Sequence, residues 1–262
     1  MLPKTRRGLA ASALAFCALL AGGTAHAATF DITVTNEAET GGLFLTPFLF
    51  VTHNGSFDAF DAGERSSGAL QALAEEGDVS GLIGEAGAFS TGVGANPGGF
   101  GGPPVLDPGE SATVRFSVDP DNERFLSFFS MIIPSNDTFI GNEDPMAYEI
   151  ISDTGGVLAQ TIEVFGNQAW DSGTEANDGS GAAFSSAGGA RTDTPFETVQ
   201  QAGDLSFLLG QPTVAGTTIN QVPGAGQLLA SIEIAPVPVP ASLPLLAFGL
   251  GAMAFAARRK RS

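Results

Sequence analysis

Two acidic stretches carry the side chains from which a site could be built. Asn136 and Asp137 follow the apolar run 125–133 and Pro134, and Asp171-Ser172-Gly173-Thr174-Glu175 follows a second apolar run at 157–164. Proline cannot donate to a central ladder, so the first run ends there and delivers Asp137 onto a turn at a strand end. Carboxylates, hydroxyls and glycines in sequence make a loop able to wrap oxygen ligands round a hard cation such as Ca²⁺. Asp137 and Asp171 are therefore the candidate metal ligands, with Glu175, backbone carbonyls and water available to complete the shell. The competing reading is that both aspartates cap turns, as Asp often does. Two such loops, each at the end of a strand, could meet at one rim of a sheet structure.

The rest of the inventory removes other chemistries. Residues 1–27 combine Lys4, Arg6 and Arg7, an apolar run at 9–20 and Ala25-His26-Ala27, the three parts of a secretory signal peptide. Its loss takes Cys17 and His26, leaving no thiol and a single histidine, His53. Disulfides, cysteine nucleophiles and two-histidine metal sites are excluded. His53 reads as a hydrogen-bonded structural residue. No Gly-x-Ser-x-Gly elbow is present, and the alternative function, a secreted hydrolase using paired carboxylates, has only the abundance of acids in its favour.

Charge is segregated along the chain. Seven of the 11 basic residues lie in the leader and the tail, which leaves Arg65, Arg115, Arg124 and Arg191 against all 28 acids, a net charge of −24 for the body. Such a surface repels nucleic acid and anionic lipid unless divalent cations bridge it. It also suits an exported protein kept soluble by self-repulsion.

The elements expected to position the site are short strands. Residues 29–35 and 112–118 alternate apolar and polar with period two, as do 228–235. The run 43–52 contains Pro47, which belongs at an edge, bulge or strand start. Asp119-Pro120-Asp121-Asn122 is expected to join 112–118 and 125–133 as a hairpin. Ser66 and Ser67 cap one short surface helix over 69–76 that stops at Gly77. Residues 77–108 are glycine-rich and read as a flexible loop. The sum is an all-β antiparallel β-sandwich with Phe30, Ile32, Val34, Val114, Phe116, Phe128, Ile132 and Ile232 in its core.

Residues 236–262 change character, from the stiff spacer Pro236-Val237-Pro238-Val239-Pro240 to an apolar segment at 241–257 and then Arg258-Arg259-Lys260-Arg261. This tail resembles the PEP-CTERM class of bacterial sorting signals in a Val-Pro-x-Pro-Ala variant, Val239 standing where Glu is usual. The resemblance implies an exosortase as processing partner, a single C-terminal membrane span before processing, and delivery to the envelope surface or extracellular matrix.

The body, 28–235, resembles a bacterial spondin-domain protein. The resemblance rests on Thr52-His53-Asn54-Gly55, on residues 70–77, on Pro134-Ser135-Asn136-Asp137-Thr138-Phe139-Ile140-Gly141, and on Trp170-Asp171-Ser172-Gly173-Thr174-Glu175. It implies a sandwich like that of calcium-dependent lipid-binding modules, Ca²⁺ as cofactor, and Asp137 and Asp171 as its ligands. A third ligand of the family, a Glu, aligns near Ser117, with Asp119 close by. The implied function is non-enzymatic adhesion or binding, the partner being an exopolysaccharide or another surface protein.

Overall fold

The computed structural model describes residues 27–96, 100 and 104–238. The expected signal peptide, apart from Ala27, and the expected membrane segment and basic tail lie outside the described residues. Strand β1 (Ala28–Asn36) shows why the sheets form: its residues alternate buried and half-buried along the whole strand, so one apolar face seeks a partner layer. It pairs antiparallel with β5 (Ser111–Val118) on one side and β11 (Leu228–Pro236) on the other, placing Ile32 opposite Val114 and Ile234. β8 (Gln160–Phe165) extends this sheet to four strands in the order β5-β1-β11-β8.

The facing sheet has seven strands. They are β2 (Phe44–Leu45), β3 (Phe48–His53), β4 (Thr91–Gly94), β6 (Phe125–Ile133), β7 (Thr138–Gly141), β9 (Ala169–Asp171) and β10 (Gln200–Gln201), ordered β10-β9-β7-β6-β3-β4 with β2 also on β6. β2 and β3 divide at Thr46-Pro47, so the proline precedes a strand as expected. Phe30, Ile32, Val34 and Phe116 from the first sheet meet Phe48, Phe50, Phe128 and Ile132 from the second in one core. Phe30 stacks on Phe116 with ring centroids 5.6 Å apart. Of the expected core only Val114 is partly exposed.

The outer face of the seven-stranded sheet is covered as well. Helices α1 (Gly68–Glu76) and α2 (Ser80–Ala86) lay Leu70, Leu73, Ala74 and Leu82 over Leu49, Val51, Phe129, Phe139 and Trp170. Burial on both faces explains why β6 is a continuous apolar run rather than an alternating one. α1 is capped as expected: Ser67 Oγ accepts from Leu70 N, and Gly77 closes the helix at φ +67°.

Three expectations are corrected. The helix over 69–76 is a covering layer with four buried residues rather than a surface helix. The stretch read as a loop over 77–108 contains α2 and β4. α2 lacks a side-chain cap and includes Gly81, where a Cβ would stand 2.8 Å from that of Ala69, so close packing on α1 took precedence over propensity. Finally, β5 and β6 do not form a hairpin. Val118 pairs with Ala28 in one sheet, while β6 lies in the other. Buried Glu123 fastens this crossing by accepting from Thr52 Oγ1 and Ser90 N. Among the described residues no helix is long and apolar enough to cross a membrane.

Candidate metal centre

β6 stops at Ile133, and a tight turn redirects the chain into β7. Ser135 Oγ holds that turn, donating to Ile132 O at 2.6 Å and accepting from Thr138 N at 3.0 Å. Asp137 is thus delivered at the entry to β7. Asp171 is the last residue of β9, which pairs with β7 so that Thr138 faces Asp171. Ser172 N then donates to Asp137 O at 3.1 Å. The two sequence-predicted site residues therefore do come together, on adjacent strands at one end of the sheet.

The two oxygens of Asp137 have opposite fates. Oδ2 accepts from Thr174 N at 2.8 Å, Glu175 N at 2.9 Å, Ser172 Oγ at 3.0 Å and Thr174 Oγ1 at 3.2 Å. Oδ1 is buried with no partner, and so is Thr138 Oγ1 in the next residue. Asp137 is fully buried, and desolvation together with the nearby Asp171 charge holds its carboxyl above the usual range, against the pull of these hydrogen bonds. Asp171 accepts from Gly173 N at 2.7 Å and Asn177 Nδ2 at 2.5 Å. Burial also raises its carboxyl, with Glu197 adding repulsion.

Gly173 is required at the head of this loop. Its φ is +69°, and a Cβ there would lie 2.6 Å from the backbone oxygen of Thr198. The bend it permits aims the N–H groups of Thr174 and Glu175 at Asp137.

Glu175, 2% exposed, accepts from Asn136 Nδ2 at 3.2 Å. Its Oε1 lies 3.0 Å from Arg191 Nε, an ionic contact without hydrogen-bond alignment. Arg191 also holds buried Glu75 through Nη1 at 2.8 Å and Glu76 through Nη2. Arg191 and Glu75 were missed as neighbours of the site. The available signal was scarcity: with four arginines among 28 acids, each one inside the body is expected to gather carboxylates.

The donors that a calcium ion would use here are few. They are the orphaned Asp137 Oδ1 and the Asp171 carboxylate, whose charge is near enough to raise the Asp137 carboxyl; both are hard oxygens of the kind calcium takes. Among the described residues no three His, Cys, Asp or Glu are grouped to hold a metal. Two carboxylates would thus share the charge, with neutral oxygens filling the shell. The third ligand implied near Ser117 does not join them. Ser117 lies in the other sheet, and Asp119 precedes β6 whereas Asp137 follows it, with a nine-residue strand of about 26 Å between the two ends. Asp119 instead caps its own turn, accepting from Asp121 N and Asn122 Nδ2.

His53 is fully buried between Gly55 N, which donates to Nδ1 at 3.0 Å, and Ser127 Oγ at 3.0 Å from Nε2. That pairing places the ring proton on Nε2. Desolvation lowers its pKa to about 4, so it is a neutral structural residue.

The Spondin_N family model matches residues 42–203, which include Asp137, Asp171 and the whole loop between Gly173 and Arg191. The chain belongs to the Spondin_N family. A PEP-CTERM protein-sorting motif matches residues 236–261. No curated protein matches the chain. The Spondin_N match leaves out β1 and β11, the two central strands of the four-stranded sheet, so the folded unit is wider than the matched segment. Together the two matches make this an exported protein of the cell envelope or surface, carrying a motif processed by an exosortase-type enzyme.

Proposed function

We propose that this Spondin_N protein is a non-enzymatic adhesion domain of the cell surface or extracellular matrix, stabilised by one Ca²⁺ held by Asp137 and Asp171. The observation that carries the reading is Asp137 Oδ1, a carboxylate oxygen buried beside a second carboxylate and lacking any donor. A buried carboxylate with one bare oxygen costs several kcal/mol unless it takes up a proton or a cation compensates it. Calcium supplies that compensation and accepts irregular oxygen shells, whereas magnesium demands a tight octahedron that loops such as 172–175 rarely offer. A site with only two carboxylates belongs in the weak range typical of extracellular modules. Asp137, being fully buried, is not available as one member of the solvent-facing carboxylate pair that the hydrolase alternative needs.

Native-state binding stabilises a fold by RT ln(1 + [L]/Kd), about 2.7 kcal/mol at a hundredfold excess over Kd. Melting of the exported protein should therefore rise with millimolar Ca²⁺ and fall with chelator. Asp137→Asn and Asp171→Asn should each blunt the shift, and Asp204→Asn, a cap of a 3-10 turn elsewhere, should not. Host cells carrying Asp137→Asn should correspondingly lose calcium-dependent cohesion. An identical calcium response in the wild type and all three variants would reduce the effect to charge screening and overturn the metal site. Cohesion unchanged on deleting the protein would overturn the adhesion role.

A further inference from the structure

Beside the loop that cradles Asp137 lies an open cleft of about 460 Å³, within the range of small-molecule sites. We infer that this cleft binds an uncharged sugar chain, making it the recognition site through which the proposed adhesion domain grips a neutral polysaccharide. The inference rests on that adhesion reading.

Its floor is Gly173-Thr174, rigid because both N–H groups are engaged by Asp171 and Asp137. One wall is built from buried Glu75, held by Gln71 Nε2 at 2.7 Å and by Arg191. Each of the three nitrogens of Arg191 faces a carboxylate, so this residue shapes the wall rather than meeting a ligand. The remaining charged and amide residues lining the cleft are Arg65, Gln71, Asp193 and Glu197, none of the three charged ones being held in an ion pair among the described residues. At its rim Pro195 adjoins Phe196, which is 80% exposed and carries Arg65 over its ring at 5.5 Å.

This mixture selects a ligand by charge. Two free carboxylates against one free arginine disfavour an anion, as does the body charge of −24. The arginine beside them disfavours a cation. A hydroxyl both donates and accepts, so vicinal sugar hydroxyls can give to Asp193, Glu197 and Gln71 while accepting from Arg65. The apolar face of a pyranose ring can pack against the exposed phenyl group of Phe196 beside the cleft.

The test is affinity electrophoresis of the exported protein in native gels containing dextran, mixed-linkage β-glucan or galactomannan, with alginate as the acidic polymer. At least one neutral polymer should retard the wild type and alginate should not. Phe196→Ala and Arg65→Ala, both at exposed positions that leave the fold intact, should weaken that retardation about tenfold, near 1.4 kcal/mol each. No retardation by any neutral polymer, retardation by alginate alone, or equal retardation of both variants would overturn the inference. The calcium-dependent melting shift should be the same in Phe196→Ala as in the wild type. Retardation weakened in Phe196→Ala with that shift retained assigns sugar binding to the cleft rather than to the metal site, whereas cohesion unaffected by deleting the protein overturns the adhesion reading beneath it.

Discussion

Two single residues carry opposite electrostatic lessons. His53 is buried neutral with a pKa near 4 against an ordinary 6.5, so between those values the unfolded chain binds the extra proton. Its contribution is present above pH 6.5 and is lost as pH falls toward 4, on the order of 3 kcal/mol in all. Asp137, Asp171 and Glu175 act in the other direction, because carboxyls raised by burial favour the native state as they take up protons. Urea titrations of wild type and His53→Gln in chelator separate the two. Stability of the wild type should fall relative to the variant from pH 6.5 to 4, and parallel profiles would show that His53 does not titrate there. Arg191 is the second lesson. Replacing it by Gln leaves Glu75 and Glu175 buried without their cation. Since its side chain is 35% exposed, the loss measured by urea unfolding should be roughly 2–4 kcal/mol, below the fully buried limit.

At the scale of elements, aromatic stacking ties together neighbouring strands of one sheet that are far apart in sequence. Phe116 on β5 is 3% exposed and stacks on Phe30 of β1. Phe116→Ala should cost about 3–5 kcal/mol in a denaturation experiment; a loss under about 1 kcal/mol would mean that the inter-sheet core can collapse around the gap. The β5–β6 connection shows how little a turn motif says about pairing. Asp119-Pro120-Asp121-Asn122 turns the chain as its composition requires, yet the turn spans two sheets rather than joining neighbours. Glu123, locked to Thr52 and Ser90, is the side chain that makes this crossing specific.

For the whole molecule, the sorting tail sets where the protein ends its journey. The PEP-CTERM match at 236–261 begins at the last residue of β11, so the spacer leaves the sandwich directly from a central strand. Mass spectrometry of surface material should find chains ending near Pro240 or Ala241. Recovery of chains ending only at Ser262, in a host with the processing enzyme, would indicate a permanent anchor. The body left at the surface carries most of its acids outward; of the five buried ones among the described residues, Glu75, Asp137, Asp171 and Glu175 gather around the same loop, and Glu123 sits apart at the β5–β6 crossing.

Local pattern was enough to read β1, β5 and β11 from alternation, β6 from an unbroken apolar run ended by Pro134, the capped α1, and the sandwich class, because runs, alternation and caps are properties of adjacent residues. The strand-ending Pro134 and the glycine-rich acidic loop likewise marked Asp137 and Asp171, since turn chemistry is local. Four things depended on tertiary structure: the second helix, the sheet to which β6 belongs, the clasp of Arg191 on Glu75 and Glu175, and the cleft lined by Arg65, Asp193 and Glu197. Arg191 and Glu75 stand 116 residues apart, and no short-range pattern encodes a contact at that separation. Which oxygen of Asp137 is satisfied and which is orphaned follows from how β9 docks on β7, and that docking is a consequence of packing the whole core.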